Sequence, residues 1–159
     1  MNRKFFALLL TLLMVLALVP VSAYADTSKS SGKEIAVLFT NDVHCAVDKN
    51  LGYQSVALAK ETLEAQGKDV LLVDVGDAVQ GDAIGTLSKG EYIIKIMNEL
   101  GYDVATIGNH EFDYGMDQLL DTIVPAAKYQ YLTCNFARLD GTAIAGVKPY
   151  AIETFGSQK

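Results

Sequence analysis

Metal-binding and proton-transferring side chains fall just past three short apolar runs of this sequence. Ile35–Thr40 leads into Asn41-Asp42-Val43-His44, and Val70–Val73 leads through Asp74 into Gly76-Asp77. Val104–Ile107 leads into Gly108-Asn109-His110-Glu111-Phe112-Asp113. The chain has 2 histidines, and both stand in these loops. Taken singly, each residue has an ordinary use. An Asp after a strand caps a helix or forms an Asx turn, and an Asn there is a common turn residue. Together they form a mixed oxygen and nitrogen donor set, which suits Zn, Mn or Fe, whereas Ca and Mg favour oxygen alone. Gly76 and Gly81 have the spacing of a phosphate-binding loop, but Asp82 stands where that loop needs Lys.

The elements that must position these loops alternate between strand and helix. The runs Ile35–Thr40, Val70–Val73 and Val104–Ile107 are continuously apolar, as in strands buried on both faces. The spacing predicts a helix over 53–66, with Tyr53, Val56, Ala59 and Leu63 on one face and Gly67 as its stop. Ser88 and Glu91 have capping-box spacing before a helix that buries Ile93, Ile96, Met97 and Leu100 and ends at Gly101. A third helix carries Met116, Leu119, Leu120 and Ile123, and Pro125 is expected to end or kink it near Val124. Tyr131–Cys134 reads as a fourth strand and Tyr150–Phe155 as a fifth. Such alternation predicts a parallel α/β sheet with right-handed crossovers. Ligands of such sheets gather beyond the strands' carboxyl ends, where all three loops lie. In extended backbone, residues i and i+2 share a side, so Asp42 and His44 can address one ion. The last strand runs into Gly156-Ser157-Gln158-Lys159, a turn composition, and the chain is expected to stop inside its fold.

The chain has 159 residues and a formal net charge of −6. Arg3 and Lys4 precede an apolar run from Phe5 to Val19, followed by Pro20 and Ala23-Tyr24-Ala25. This order is that of a secretory signal, so 1–25 is expected to be an export signal with no stable membrane anchor. Residues 26–33 read as a flexible leader and 34–159 as the folded part. Export implies a periplasmic, cell-surface or extracellular location. The acidic balance argues against a nucleic-acid partner. Cys45 and Cys134 would meet an oxidising compartment; as a disulfide, a thiolate ligand beside His44, or two small buried residues, they stay open, with the last favoured.

Asp42-x-His44, Gly76-Asp77-x-x-Gln80-Gly81 and Gly108-Asn109-His110-Glu111-Phe112-Asp113 resemble three motifs of the calcineurin-like metallophosphoesterases. The wording Thr40-Asn41-Asp42-x-His44 resembles their secreted 5'-nucleotidase branch. The resemblance implies the N-terminal portion of an αββα sandwich in βαβαβαβ order, with a C-terminal remainder and a nucleotide-binding domain absent from 34–159. It implies two divalent ions of Zn, Mn or Fe type. Asp42 and His44 would hold the first, Asp77 would bridge both, and Asn109 would hold the second. His110, paired with Asp113, would contact the substrate phosphate rather than an ion, and Asn109 would also lie against the substrate. The implied reaction is hydrolysis of a nucleotide or other small phosphate ester by hydroxide held between the ions. A 2',3'-cyclic-nucleotide phosphodiesterase or related esterase on the same core is the sibling chemistry. The later histidines that complete the family site are not in this chain. An inactive N-terminal fragment is therefore expected, or else a complete non-catalytic metal-binding module.

Overall fold

The computed structural model describes residues 32–49 and 51–156. The expected export signal and most of the leader lie outside the described residues. Five strands form one parallel sheet in sequential order: β1 (Ile35–Thr40), β2 (Asp69–Asp74), β3 (Val104–Thr106), β4 (Gln130–Leu132) and β5 (Val147–Lys148). Helix α1 (Gly52–Ala65) joins β1 to β2, and α2 (Ala83–Ser88) and α3 (Glu91–Leu100) join β2 to β3.

Sequential order with right-handed crossovers places every crossover on one side of the sheet, and register and burial agree. Thr40, Asp74, Ala105, Tyr131 and Val147 form one paired row. Asp74, Ala105 and Tyr131 in that row are buried, as is Leu72 beside Leu38. They pack against Tyr53 of α1 and Ile93, Ile94 and Met97 of α3, with Leu119 and Ile123 completing the core. On the opposite face β1 is not covered as the apolar runs predict, since Val37 and Phe39 are 62% and 65% exposed, whereas Val104 of β3 is buried.

Several local expectations change. The capping box does not form. Ser88 ends α2, a helix that the Gly-punctuated sequence conceals. Its hydroxyl donates to the Ile84 carbonyl and accepts the Tyr92 N–H. Left-handed Lys89 and Gly90 turn the chain into α3 instead. Gly101 ends α3 as expected, in the left-handed conformation. The third helical run passes from Met116–Gln118 through a π turn at Leu119–Ile123 into Val124–Ala126. Pro125 has no N–H and crowds the carbonyl four residues back. The π turn just before Val124 and the helix end at Ala126 meet the expectation of a kink or stop near Val124. Met116, expected on the apolar face, is exposed. The fifth strand is Val147–Lys148, not Tyr150–Phe155. Ala151, Ile152 and Phe155 instead line a cavity with Ile35, Leu71, Val104 and Leu132. None of the helices among the described residues is long and apolar enough to cross a membrane.

Candidate metal centre

The loop after β1 runs alongside the loop after β2 as a main-chain ladder. Asp42 N–H donates to the Gly76 carbonyl, His44 N–H to Asp77, and Cys45 N–H to Ala78, at 3.2, 3.0 and 3.1 Å. These residues are not extended. Asp42, His44, Cys45 and Asp77 have φ of 51°, 47°, 59° and 60°, a region that side-chain-bearing residues seldom occupy. The i, i+2 argument for Asp42 and His44 therefore fails in its geometry, although the pair still meets. His44 Nε2 lies 3.7 Å from Asp42 Oδ1. Strained backbone of this kind is held only where surrounding contacts over-determine it. Here the ladder does so, together with the Lys49–Asp82 ion pair at 2.7 Å.

The second contact between loops uses glycine. A Cβ at Gly81 would lie 2.1 Å from the His44 carbonyl oxygen, and one at Gly108 would lie 2.3 Å from Asp77 Oδ1. Only hydrogen fits at either place. Gly81 therefore serves the approach of His44, and Gly76 the approach of Gly108, rather than a phosphate loop.

These constraints bring three expected residues to one point. His44, Asp77 and His110 each offer a ligand atom, all within 4.8 Å of one another. His44 Nδ1 donates to the Gln80 carbonyl at 3.1 Å, which leaves the Nε2 lone pair free for a cation. An imidazole oriented by a main-chain carbonyl beside two carboxylates, Asp42 and Asp77, is a donor set that fits a divalent ion of Zn, Mn or Fe type. The Asn41 amide donates to Asp42 Oδ2.

His110 lies in the same cluster but differs in its partner. Its Nδ1 is 2.8 Å from Asp113 Oδ2, and its ring stands edge-on to His44 with centroids 4.9 Å apart. By accepting its hydrogen bond, the Asp113 carboxylate raises the imidazole above its ordinary value. Asn109, exposed at the tip between Gly108 and His110, begins the 3₁₀ turn His110–Phe112. Cys45 is no ligand or nucleophile. It is buried, its Sγ faces the Ala78 carbonyl at 3.3 Å, and burial pushes its thiol up to about 11. Cys134 is exposed and free, against the expectation that both cysteines are buried.

Sequence reasoning did not foresee the burial of two carboxylates beneath the loops, Asp74 and Glu111. Asp74 accepts hydrogen bonds from Thr40 Oγ1 and the Gly76 N–H, and burial pushes it up to about 6. Glu111 takes three main-chain N–H groups of the two later loops. The acidic residue type alone carries no signal of such burial.

Residues 35–156 match the family described as calcineurin-like phosphoesterase. The chain is 36% identical over 142 residues to a snake venom 5'-nucleotidase of Gloydius brevicauda, covering 79% of this chain and 24% of that protein. It is 32% identical over 142 residues to the 5'-nucleotidase of Bos taurus, covering 79% of this chain and 25% of that protein. Its fold matches the NAD nucleotidase of Haemophilus influenzae with a TM-score of 0.67 at 25% identity, over 77% of this chain and 24% of that one. The chain thus spans about a quarter of the length of these relatives.

Proposed function

Because the chain belongs to the calcineurin-like phosphoesterase family, we propose that its three-loop centre serves the metal-dependent hydrolysis of a phosphate ester, with a 5'-nucleotide as substrate. The observation that carries this reading is the convergence of His44, Asp77 and His110 within 4.8 Å, with the His44 tautomer set by Gln80. Asp42, His44 and Asp77 would hold a first divalent ion, and Asp77 with Asn109 would hold a second. Such ions supply Lewis acidity to the phosphoryl group.

The chain's own residues do the rest. His110 gives its Nδ1–H to Asp113, and that carboxylate keeps the imidazole protonated to higher pH than an ordinary one. A donor held in that place meets an equatorial phosphate oxygen, where negative charge concentrates during transfer. A preorganised donor of this kind contributes about 10²–10³ in rate. Asn109 presents its amide at the same rim. The second ion would have only Asp77 and Asn109 from these loops, fewer than the usual three protein ligands. The 159-residue chain is therefore expected to bind an ion without appreciable turnover by itself.

Titration with Mn²⁺, followed by calorimetry, tests the centre. Wild type is expected to bind an ion, and His44→Ala to lose that binding while keeping its fold. Wild type that binds no Mn²⁺ would refute the centre. Rapid phosphate release from a 5'-mononucleotide by this chain would refute the expected lack of turnover. In a longer, active relative carrying the same loops, loss of the residue matching His110 should lower turnover about 10²–10³-fold without loss of metal.

A further inference from the structure

Glu111 is 2% exposed, and its carboxylate faces main-chain N–H groups rather than solvent. Oε2 accepts the Asp77 N–H at 2.9 Å and the Gly108 N–H at 2.6 Å, one from each loop. Oε1 accepts the Ala78 N–H at 2.9 Å. The preceding residue, His110, gives its own N–H to Asp77 Oδ1 at 2.7 Å. Asp77 is thus gripped twice, by the main chain through Glu111 and by the side chain through His110. At this junction a Cβ on Gly76 would fall 2.8 Å from Gly108 N, so the two loops touch backbone to backbone. Bonds from amides to an ionised carboxylate are about twice as strong as neutral ones.

We propose that Glu111 is a positioning residue for the metal centre. By clamping the β2 and β3 loops together, it fixes Asp77 against Asn109 and His110, and ion binding depends on it although it is not itself a ligand. The inference rests on the metal centre of the preceding subsection. A glutamine at 111 keeps the size but turns an NH₂ donor toward N–H donors, which opens the clamp without opening a cavity. Groups that orient metal ligands in this indirect way typically change metal affinity about 10–100-fold when replaced.

The test is Mn²⁺ titration by electron paramagnetic resonance of wild type and Glu111→Gln, at a temperature where circular dichroism shows both fully folded. The expected result is a Kd about 10–100-fold weaker in the variant. A general loss of stability would not move this readout under those conditions. Equal affinity in the two proteins would overturn the role of Glu111 alone, whereas absence of binding in wild type would overturn the metal centre with it. Should Glu111→Gln fail to fold, amide hydrogen exchange of wild type decides. The Asp77, Ala78 and Gly108 amides must exchange far more slowly than those of the exposed 139–143 loop, and equal rates would refute the clamp.

Discussion

Replacing Asp74 by Asn probes the electrostatics of the floor beneath the loops. The side chain is 1% exposed and sits second in the paired row of the sheet, between Thr40 and Ala105. Its two hydrogen bonds, from Thr40 Oγ1 at 2.7 Å and Gly76 N–H at 2.9 Å, do not offset its removal from water. Burial, helped by the charges of Glu111 and Asp77, pushes it from the ordinary 3.8 up to about 6. Between those values the folded state holds a proton that the unfolded chain has released. The contribution to stability is therefore fully present below 3.8 and is lost as pH rises through 6. At about 1.4 kcal/mol per unit, the loss across this window is on the order of 3 kcal/mol. In Asp74→Asn the amide oxygen can accept the Gly76 N–H, while Thr40 can accept from the amide and turn its own proton to Tyr102, whose hydroxyl is 2.8 Å away. Urea unfolding of both proteins, metal-free, at pH 4 and pH 7 isolates the effect. The stability of the variant relative to wild type should improve by roughly 2 kcal/mol from pH 4 to pH 7, because part of the loss has already occurred at pH 4, and little of the change arises above pH 6.5. A difference that stays constant across this range would refute the reasoning.

Gly108→Ala should drive the Asp77 carboxylate from its place, because the new methyl would stand 2.3 Å from Oδ1. Calorimetry should show Mn²⁺ affinity falling at least tenfold, with the sheet intact by circular dichroism. Lys60 donates to the Leu100 and Gly101 carbonyls at 2.9 and 2.8 Å, so it satisfies the C-terminus of α3 from α1. Lys60→Met should cost about 1 kcal/mol in urea unfolding, and no loss would deny the cap. The buried Cys45 and exposed Cys134 predict one fast-reacting thiol under native conditions and two in denaturant. Two fast thiols, or none, would contradict that arrangement.

Much of the site was legible before any tertiary contact was known. Continuous apolar runs marked β1 to β3, and ligand-type residues directly after each run placed Asp42, His44, Asp77, Asn109, His110 and Asp113 at one edge of a parallel sheet. Gly101 was legible as a helix stop because its reason is local. Failures arose where the reason was not local. Ser88 and Glu91 have the spacing of a capping box, but that spacing says nothing of a short helix ending at Ser88. Tyr150–Phe155 has strand composition, yet β4 pairs with Val147–Lys148, and pairing partners are chosen by the sheet as a whole.

The sequence by itself determined the donor types, their order after three strands and the alternation that builds a parallel sheet. These follow from side-chain chemistry and from periodicity over a few neighbouring residues. Only the tertiary structure decided which of these groups meet: His44, Asp77 and His110 converge within 4.8 Å. Asp42, His44 and Asp77 take left-handed backbone beside a ladder between loops, and Gln80 selects the free nitrogen of His44. Glu111 and Asp74, which look like ordinary solvated acids in the sequence, are instead buried supports. Their burial depends on residues about 30 or more positions away in the chain, Asp77 and Ala78 for one and Thr40 for the other. No local pattern of residue types encodes contacts of that range.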